Sequence, residues 1–297
     1  MDKYRIVFFG TEAFSAPTLE LLIKSNFEVV AVITKPDTLR GRGHKLEQPA
    51  VKKIALANNI NVLQPNKVTE ILPELSKMQP DIGVLVSYGK IIPQSVIDAF
   101  PEGIVNVHPS LLPKYRGPSP IESAITNGDR ETGVSIMQLS REMDAGPVYL
   151  QEKSVLNGSE TQSELYEKFA KRGAELLTGN LEKISRGELK PISQNDTDAT
   201  YCRLLSKEDG ILDPVLMTAD ECERKIRAYQ VWPKTRLNFL GENLIVTRAK
   251  VLPNFAGDSW PDVIKCKDET TLQIVELVAP SGKKMKTADY LRGVRSL

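Results

Sequence analysis

Arg5-Ile-Val-Phe-Phe-Gly10 is a short apolar run that stops at a glycine. A helical stretch, Ala16 to Lys24, and a second apolar run, Glu28-Val-Val-Ala-Val-Ile33, follow it. Successive strand side chains point to opposite faces, so runs that are apolar throughout are strands buried on both sides. Between them Leu19, Leu22 and Ile23 share one helical face. A β–α–β unit of this kind selects a parallel sheet with helices over it. The alternation continues outward. Ile54, Ala55, Ala57 and Ile60 have helical spacing, Asn61-Val-Leu63 reads as a short strand, and Val68 to Met78 as a helix. Asp81–Val86, Gly103–Val107 and Gly133–Met137 read as further strands. The expected fold class is α/β, with an N-terminal Rossmann-like, mainly parallel sheet carrying helices on both faces. In such sheets ligands sit beyond the carboxyl ends of the strands. That rule singles out Gly10–Phe14, Lys35–Leu46, Ser87–Pro93 and His108–Gly117.

Thr161 to Arg186 is amphipathic, with Leu165, Phe169, Leu176, Leu177, Leu181 and Ile184 at helical spacing. It closes the first domain. Polar residues take over from Gly187 to Tyr201, and short apolar segments follow from Thr235 to Val278, preceded by one helix near Thr218–Ala228. This pattern predicts a small all-β domain. The expected organisation is a first domain over residues 1–189, a linker over 190–206, and a second domain over 207–297.

Composition excludes several classes. The 297 residues carry 39 Lys+Arg against 38 Asp+Glu, a net charge of +1, so no global attraction to nucleic acid is expected. With 41% hydrophobic and 26% charged residues the chain is neither disordered nor fibrous. Three cysteines, Cys202, Cys222 and Cys266, make no disulfide framework, and no close Cys/His pairs suggest zinc. No metal is expected. Ile6–Phe9 is shorter than the roughly 7–15 residues of a signal-peptide core. No window approaches the roughly 20 apolar residues of a membrane span. A cytoplasmic, monomeric protein with reduced thiols is expected, without membrane association.

The turn Gly10-Thr-Glu-Ala-Phe14 has one glycine where a dinucleotide fingerprint needs three, so no nucleotide cofactor is expected. Asn106 and His108 are two apart at the end of a buried strand and face the same side. A lone strand-end histidine is ordinarily structural. Here it leads into Pro109-Ser-Leu-Leu-Pro-Lys-Tyr-Arg-Gly117, an irregular loop at the ligand end of the sheet. Asp144, in Glu142-Met-Asp-Ala-Gly146, also follows a strand. A carboxylate beside a histidine orients it and favours its charged form. An amide and an imidazolium facing one point stabilise a tetrahedral oxyanion. Asn, His and Asp without a Ser or Cys nucleophile suggest acyl transfer directly onto an amine.

Lys35 to Lys53 holds six basic residues, Arg40, Arg42 and Lys45 among them, against Asp37 and Glu47. Such a run is ordinarily a solvated face. With Gly41-Arg-Gly43 at its centre it also suits phosphate contacts. Lys283, Lys284, Lys286, Arg292 and Arg295 make the C-terminal end basic as well.

Together these segments resemble the folate-dependent formyltransferases. The motifs that carry the resemblance are Asn106-Val-His108, Ser110-Leu-Leu-Pro-Lys-Tyr-Arg-Gly117, Thr132-Gly-Val and Met143-Asp-Ala-Gly146. Phe8-Phe-Gly-Thr11, Thr34-Lys-Pro-Asp37, Ser87-Tyr-Gly-Lys-Ile-Ile-Pro93 and Lys207-Glu-Asp-Gly-Ile-Leu-Asp213 extend it, as do Ile226–Pro233 and Ser281-Gly-Lys-Lys. The resemblance implies transfer of a formyl group from 10-formyltetrahydrofolate to the α-amine of methionine on initiator tRNA. It implies Asn106, His108 and Asp144 as catalytic residues. It implies a folate site at Ser110, Leu111, Leu112 and Pro113 with Ser87, Tyr88, Gly89 and Ile91. It implies tRNA contacts at Arg42, Arg40, Lys45, Lys283 and Lys284, and an OB-like β-barrel for the C-terminal domain. A sugar-amine formyltransferase or a formyltetrahydrofolate hydrolase shares the catalytic motif. A non-catalytic tRNA-binding protein explains the basic loop but not the three strand-end residues.

Overall fold

The computed structural model describes residues 3–40, 45–253 and 260–294. The first elements in chain order are β1 (Arg5–Gly10), α1 (Ala16–Lys24), β2 (Glu28–Ile33), β3 (Thr38–Arg40), β4 (Lys45–Glu47), α2 (Ala50–Ala57), β5 (Asn61–Leu63), α3 (Leu72–Met78), β6 (Ile82–Val86), α4 (Gln94–Ile97), β7 (Ile104–His108), α5 (Pro120–Asn127) and β8 (Glu131–Gln138). Then follow β9 (Val148–Val155), α6 (Gln162–Thr178), α7 (Leu181–Ser185), α8 (Ala219–Ala228), β10 (Thr235–Phe239), β11 (Glu242–Val251), β12 (Val263–Lys265), β13 (Thr271–Val278), β14 (Lys284–Lys286) and α9 (Thr287–Val294). None of the described helices is long and apolar enough to cross a membrane.

Seven strands form the main sheet in the order β5-β2-β1-β6-β7-β8-β9. Pairing is parallel from β5 to β7 and antiparallel between β7 and β8. The apolar runs lie where both faces are covered: Ile6, Val7, Phe8 and Phe9 of β1 have no accessible surface. Against one face Phe9, Ile33, Tyr88, Val96, Ile97, Phe100 and Ile104 pack into one cluster. The sequence read β1 and β6 well because strands buried on both faces require continuous apolar character. It read Thr161–Arg186 as one helix, whereas Gly179-Asn180 separates α6 from α7. Edge strand β9, with its mixed sequence Val-Tyr-Leu-Gln-Glu-Lys-Ser-Val, gave no signal; an edge strand needs only one apolar neighbour.

Contacts divide the chain into two compact units. One holds Met1–Gly117, Thr132–Ser154 and Tyr166–Tyr201; the other holds Pro118–Glu131, Val155–Leu165 and Cys202–Leu297. The second unit therefore recruits α5 and the entry to α6. Gln162 Nε2 donates to Glu122 Oε1 (2.6 Å), and its Oε1 accepts from Val231 N (3.0 Å). Arg224 Nε donates to Thr126 O (3.0 Å). The strands of this unit pair antiparallel, β10-β11-β13-β12, with β14 on β13. Leu237, Leu244, Val246, Leu272, Ile274 and Leu277 pack there against Ala219, Cys222 and Ile226 of α8. Among the described residues the pairing forms a sheet and does not close into a barrel.

Candidate active site

β7 runs between β6 and β8 and is buried throughout. Asn106 lies opposite Leu85 and Met137, and His108 opposite Ser135. Both are 5% exposed, and their two-residue spacing puts them on one face. No hydrogen bond of the Asn106 amide is present among the described residues.

The loop after His108 is stiff because its polar groups bind one another. Ser110 N donates to His108 O (2.9 Å), and Ser110 Oγ donates to Lys114 O (2.6 Å). Ser135 Oγ donates to Ser110 O (2.6 Å) and accepts from Leu112 N (3.1 Å). Gln151 Nε2 donates to Leu112 O (2.8 Å). Gly133 on β8 lets the loop lie this close: a Cβ there would stand 2.2 Å from Glu152 O and 2.6 Å from Leu111 Cδ2. The loop then returns Tyr115 O to His108 Nε2 at 2.9 Å. A carbonyl can only accept, so Nε2 carries a hydrogen.

The other ring nitrogen, Nδ1, stands 3.6 Å from Asp144 Oδ2. The same oxygen accepts from Gly117 N (2.8 Å). Gly117 has φ +121, a conformation reserved for glycine. Asp144 itself has φ +50, and Ser87 and Tyr115 have φ +47 and +59. Left-handed non-glycine residues are costly and concentrate at functional sites. The structure thus brings His108 and Asp144 together, with Asn106 beside them on the strand.

The Ser87–Ile91 segment is anchored to the first turn of the sheet. Ser87 O accepts from Thr11 N (3.2 Å) and Glu12 N (3.4 Å), and Tyr88 O accepts from Thr11 Oγ1 (2.9 Å). The Tyr88 ring turns into the core, 5.7 Å from the Phe9 ring, and burial pushes its phenol up to about 12. Its hydroxyl has no hydrogen-bond partner among the described residues. Gly89 takes φ +72, and Ile91 is 77% exposed. Ser110 is wholly buried and Leu112 nearly so; Leu111 and Pro113 keep partial access. Ile91 and Leu111 therefore offer apolar side-chain surface, whereas Tyr88 and Ser110 shape the site from behind.

Of the expected tRNA contacts, Arg42 lies outside the described residues. Arg40 and Lys45 are paired across the end of the β3–β4 hairpin. The hairpin's root is clasped: Lys52 Nζ donates to both Asp37 oxygens (2.9 and 2.8 Å) and to Gln64 Oε1 (2.7 Å), which holds the Asp37 carboxyl below its ordinary range. Lys284 is tied to Glu276 (2.9 Å) and Lys283 is exposed. Among the described residues no group of three or more His, Cys, Asp or Glu is placed to hold a metal ion.

The sequence did not point to Gln194 or Thr200, which reach the catalytic loops from the far side of the chain. Gln194 Nε2 donates to Asp144 O and Gly146 O, and Thr200 Oγ1 accepts from Tyr115 N. A polar residue in a polar stretch carries no local signal of such a role.

The arrangement is thus a strand-end Asn-x-His on a mainly parallel sheet, faced by an aspartate from a neighbouring loop. Residues 4–181 match the family model described as Formyl transferase, and residues 204–295 match Formyl transferase, C-terminal domain. The chain belongs to the formyl transferase family. Its branch of that family is the methionyl-tRNA formyltransferases. The protein so named from Acetivibrio thermocellus is 41% identical over 97% of this chain and 96% of its own length. That from Caldanaerobacter subterraneus is 37% identical over 97% and 96%. Among solved structures, the N-formyltransferase from Helicobacter canadensis, in complex with folinic acid and dTDP-3-aminofucose, is similar in fold. It has a TM-score of 0.71 at 20% identity, over 92% of this chain and 99% of that one.

Proposed function

We propose that this protein transfers the formyl group of 10-formyltetrahydrofolate to the α-amino group of methionyl-initiator tRNA, with Asn106, His108 and Asp144 as its catalytic residues. The observation that carries the reading is the pairing of His108 and Asp144 beside an uncommitted Asn106 amide. Neighbouring serines do not compete for the role of nucleophile, because the Ser110 and Ser135 hydroxyls are buried donors to backbone carbonyls. The amine nitrogen attacks the formyl carbon directly. The C–O π electrons move to oxygen, and Asn106 Nδ2–H donates to the oxyanion. Nε2–H of His108 is held by Tyr115 O, so Nδ1 is the position that handles the amine's proton. The imidazolium so formed lies against Asp144 and stabilises the negative intermediate. The oxyanion's electron pair then re-forms the carbonyl, the bond from the formyl carbon to the folate nitrogen breaks, and His108 Nδ1 gives its proton to that nitrogen.

The folate pocket in this reading is walled by Ser87–Ile91 and Ser110–Pro113, with Ile91 and Leu111 as its apolar contacts. A neighbour of the same fold carries folinic acid, which supports a folate co-substrate. The tRNA is held by phosphate contacts from the Arg40–Lys45 hairpin, Arg42 foremost, and from Lys283 and Lys284 of the β-rich unit. The enzyme works in the cytoplasm as a monomer, without a metal or a nucleotide cofactor. Residues 1–189 carry catalysis and 207–297 tRNA binding.

The test is formylation of methionyl-tRNA against a nucleotide-linked amino sugar, and of methionine with and without the tRNA body. Methionyl-tRNA alone should turn over. Preferential formylation of the amino sugar, or formyl release to water, would overturn the acceptor assignment.

A further inference from the structure

Residues 192–201 follow α7 and lie within the linker expected over 190–206; they cross back over the His108–Gly117 and Asp144–Gly146 loops. Ile192 bridges Val148, its N and O each 2.8 Å from their partners. Thr200 N donates to Pro113 O (3.2 Å), and Thr200 O accepts from Arg116 N (2.9 Å). Gln194 stands between these two anchors. Its Nε2 donates to Asp144 O (2.8 Å) and Gly146 O (2.6 Å). Its Oε1 accepts from Arg116 Nε (3.0 Å) and Nη2 (2.9 Å). The Arg116 guanidinium is buried and also binds Asp196 (2.7 Å) and Tyr201 OH (3.2 Å). A guanidinium only donates and a carbonyl only accepts, so the Gln194 amide has a single allowed orientation. Its two donor hydrogens are spent on the turn that carries the Asp144 carboxylate. That turn has left-handed φ at Asp144, a conformation that persists only where its surroundings impose it.

We infer that Gln194 is a positioning residue of the reaction. Locked by Arg116, it fixes the Asp144–Gly146 backbone so that Asp144 Oδ2 meets His108 Nδ1. The inference rests on the reading of Asn106, His108 and Asp144 as catalytic, and it makes residues 192–201 part of the active centre. Gln194→Met keeps side-chain length and removes both polar ends. Gln194→Glu keeps the acceptor for Arg116 and sets a carboxylate against two carbonyls.

The experiment is a double-mutant cycle of Gln194→Met with Asp144→Asn, measuring kcat and KM with 10-formyltetrahydrofolate and methionyl-tRNA. Gln194→Met should lower kcat about 10- to 100-fold through misplaced geometry, with both KM values unchanged. Gln194→Glu should not restore it. The double variant should be no slower than Asp144→Asn alone, because Gln194 acts through Asp144. Multiplying losses, an unchanged kcat in Gln194→Met, or raised KM values would overturn the inference. If Gln194→Met does not fold, the same cycle with Gln194→Glu decides it. Asp144→Asn at normal rate would overturn the catalytic reading beneath it, a result distinct from any of these.

Discussion

His108 is engaged on both ring nitrogens, by Tyr115 O and by Asp144, and each partner is set by a left-handed backbone residue. His108→Ala should lower kcat by about 10²- to 10⁴-fold, the scale of a lost general base, with a cooperative unfolding transition retained. Single-turnover formylation beside thermal unfolding checks this. A different carboxylate governs stability in acid. Asp209 accepts from Arg203, and from Ser206 N (2.7 Å) and Oγ (3.1 Å), which holds its carboxyl at about 2. In the unfolded chain it titrates at its ordinary value near 4. The folded state therefore binds this proton less readily. The stabilisation is complete above about pH 4 and drains away as pH falls towards 2. Asp209→Asn should lower the melting temperature at pH 7, with the gap to the parent closing between about pH 4 and 2.

At the scale of elements, the β8–β9 connection fixes where Asp144 stands. A Cβ on Gly146 would lie 1.9 Å from Gln138 O, a backbone atom that cannot yield. Gly146→Ala should displace the turn and cost about 10²-fold in formylation, comparable to a misplaced catalytic group. Helix α8 shows the opposite, purely structural case. Thr218 Oγ1 accepts from Glu221 N (3.3 Å), and Glu221 Oε2 accepts from Thr218 N (2.7 Å). This reciprocal cap satisfies two otherwise unpaired N–H groups. Thr218→Ala should cost about 1 kcal/mol, read by urea unfolding, with formylation of the folded enzyme intact.

For the whole molecule, a net charge of +1 conceals a basic hairpin and a basic C-terminal end. The Asp37–Lys52–Gln64 clasp pairs one acid with one base at the hairpin's root, and the sequence between them adds Arg40, Arg42 and Lys45. Lys283→Ala should weaken tRNA binding and make its logarithmic salt dependence shallower by about one unit, with folate affinity unchanged. A filter-binding series over salt concentration measures this. An Arg42→Leu variant should show the same separation of tRNA from folate.

The fold class was legible in the sequence because a sheet buried on both faces needs unbroken apolar strands, as in β1 and β6. The shared face of Asn106 and His108 was legible from strand spacing, and the approach of Asp144 to His108 from its place in a strand-end loop. Edge strand β9 and the break before α7 were not, since neither requires a distinctive apolar pattern. The recruitment of α5 by the second unit was equally hidden, being a matter of contacts with α8. The hold of Gln194 on Asp144 was hidden too, because it joins residues fifty positions apart through an amide and two carbonyls. The sequence by itself determined which groups are buried and which chemistry they bear. Only the tertiary structure decided which distant polar atoms meet, because hydrogen bonds across loops follow from packing and leave no periodicity in the chain.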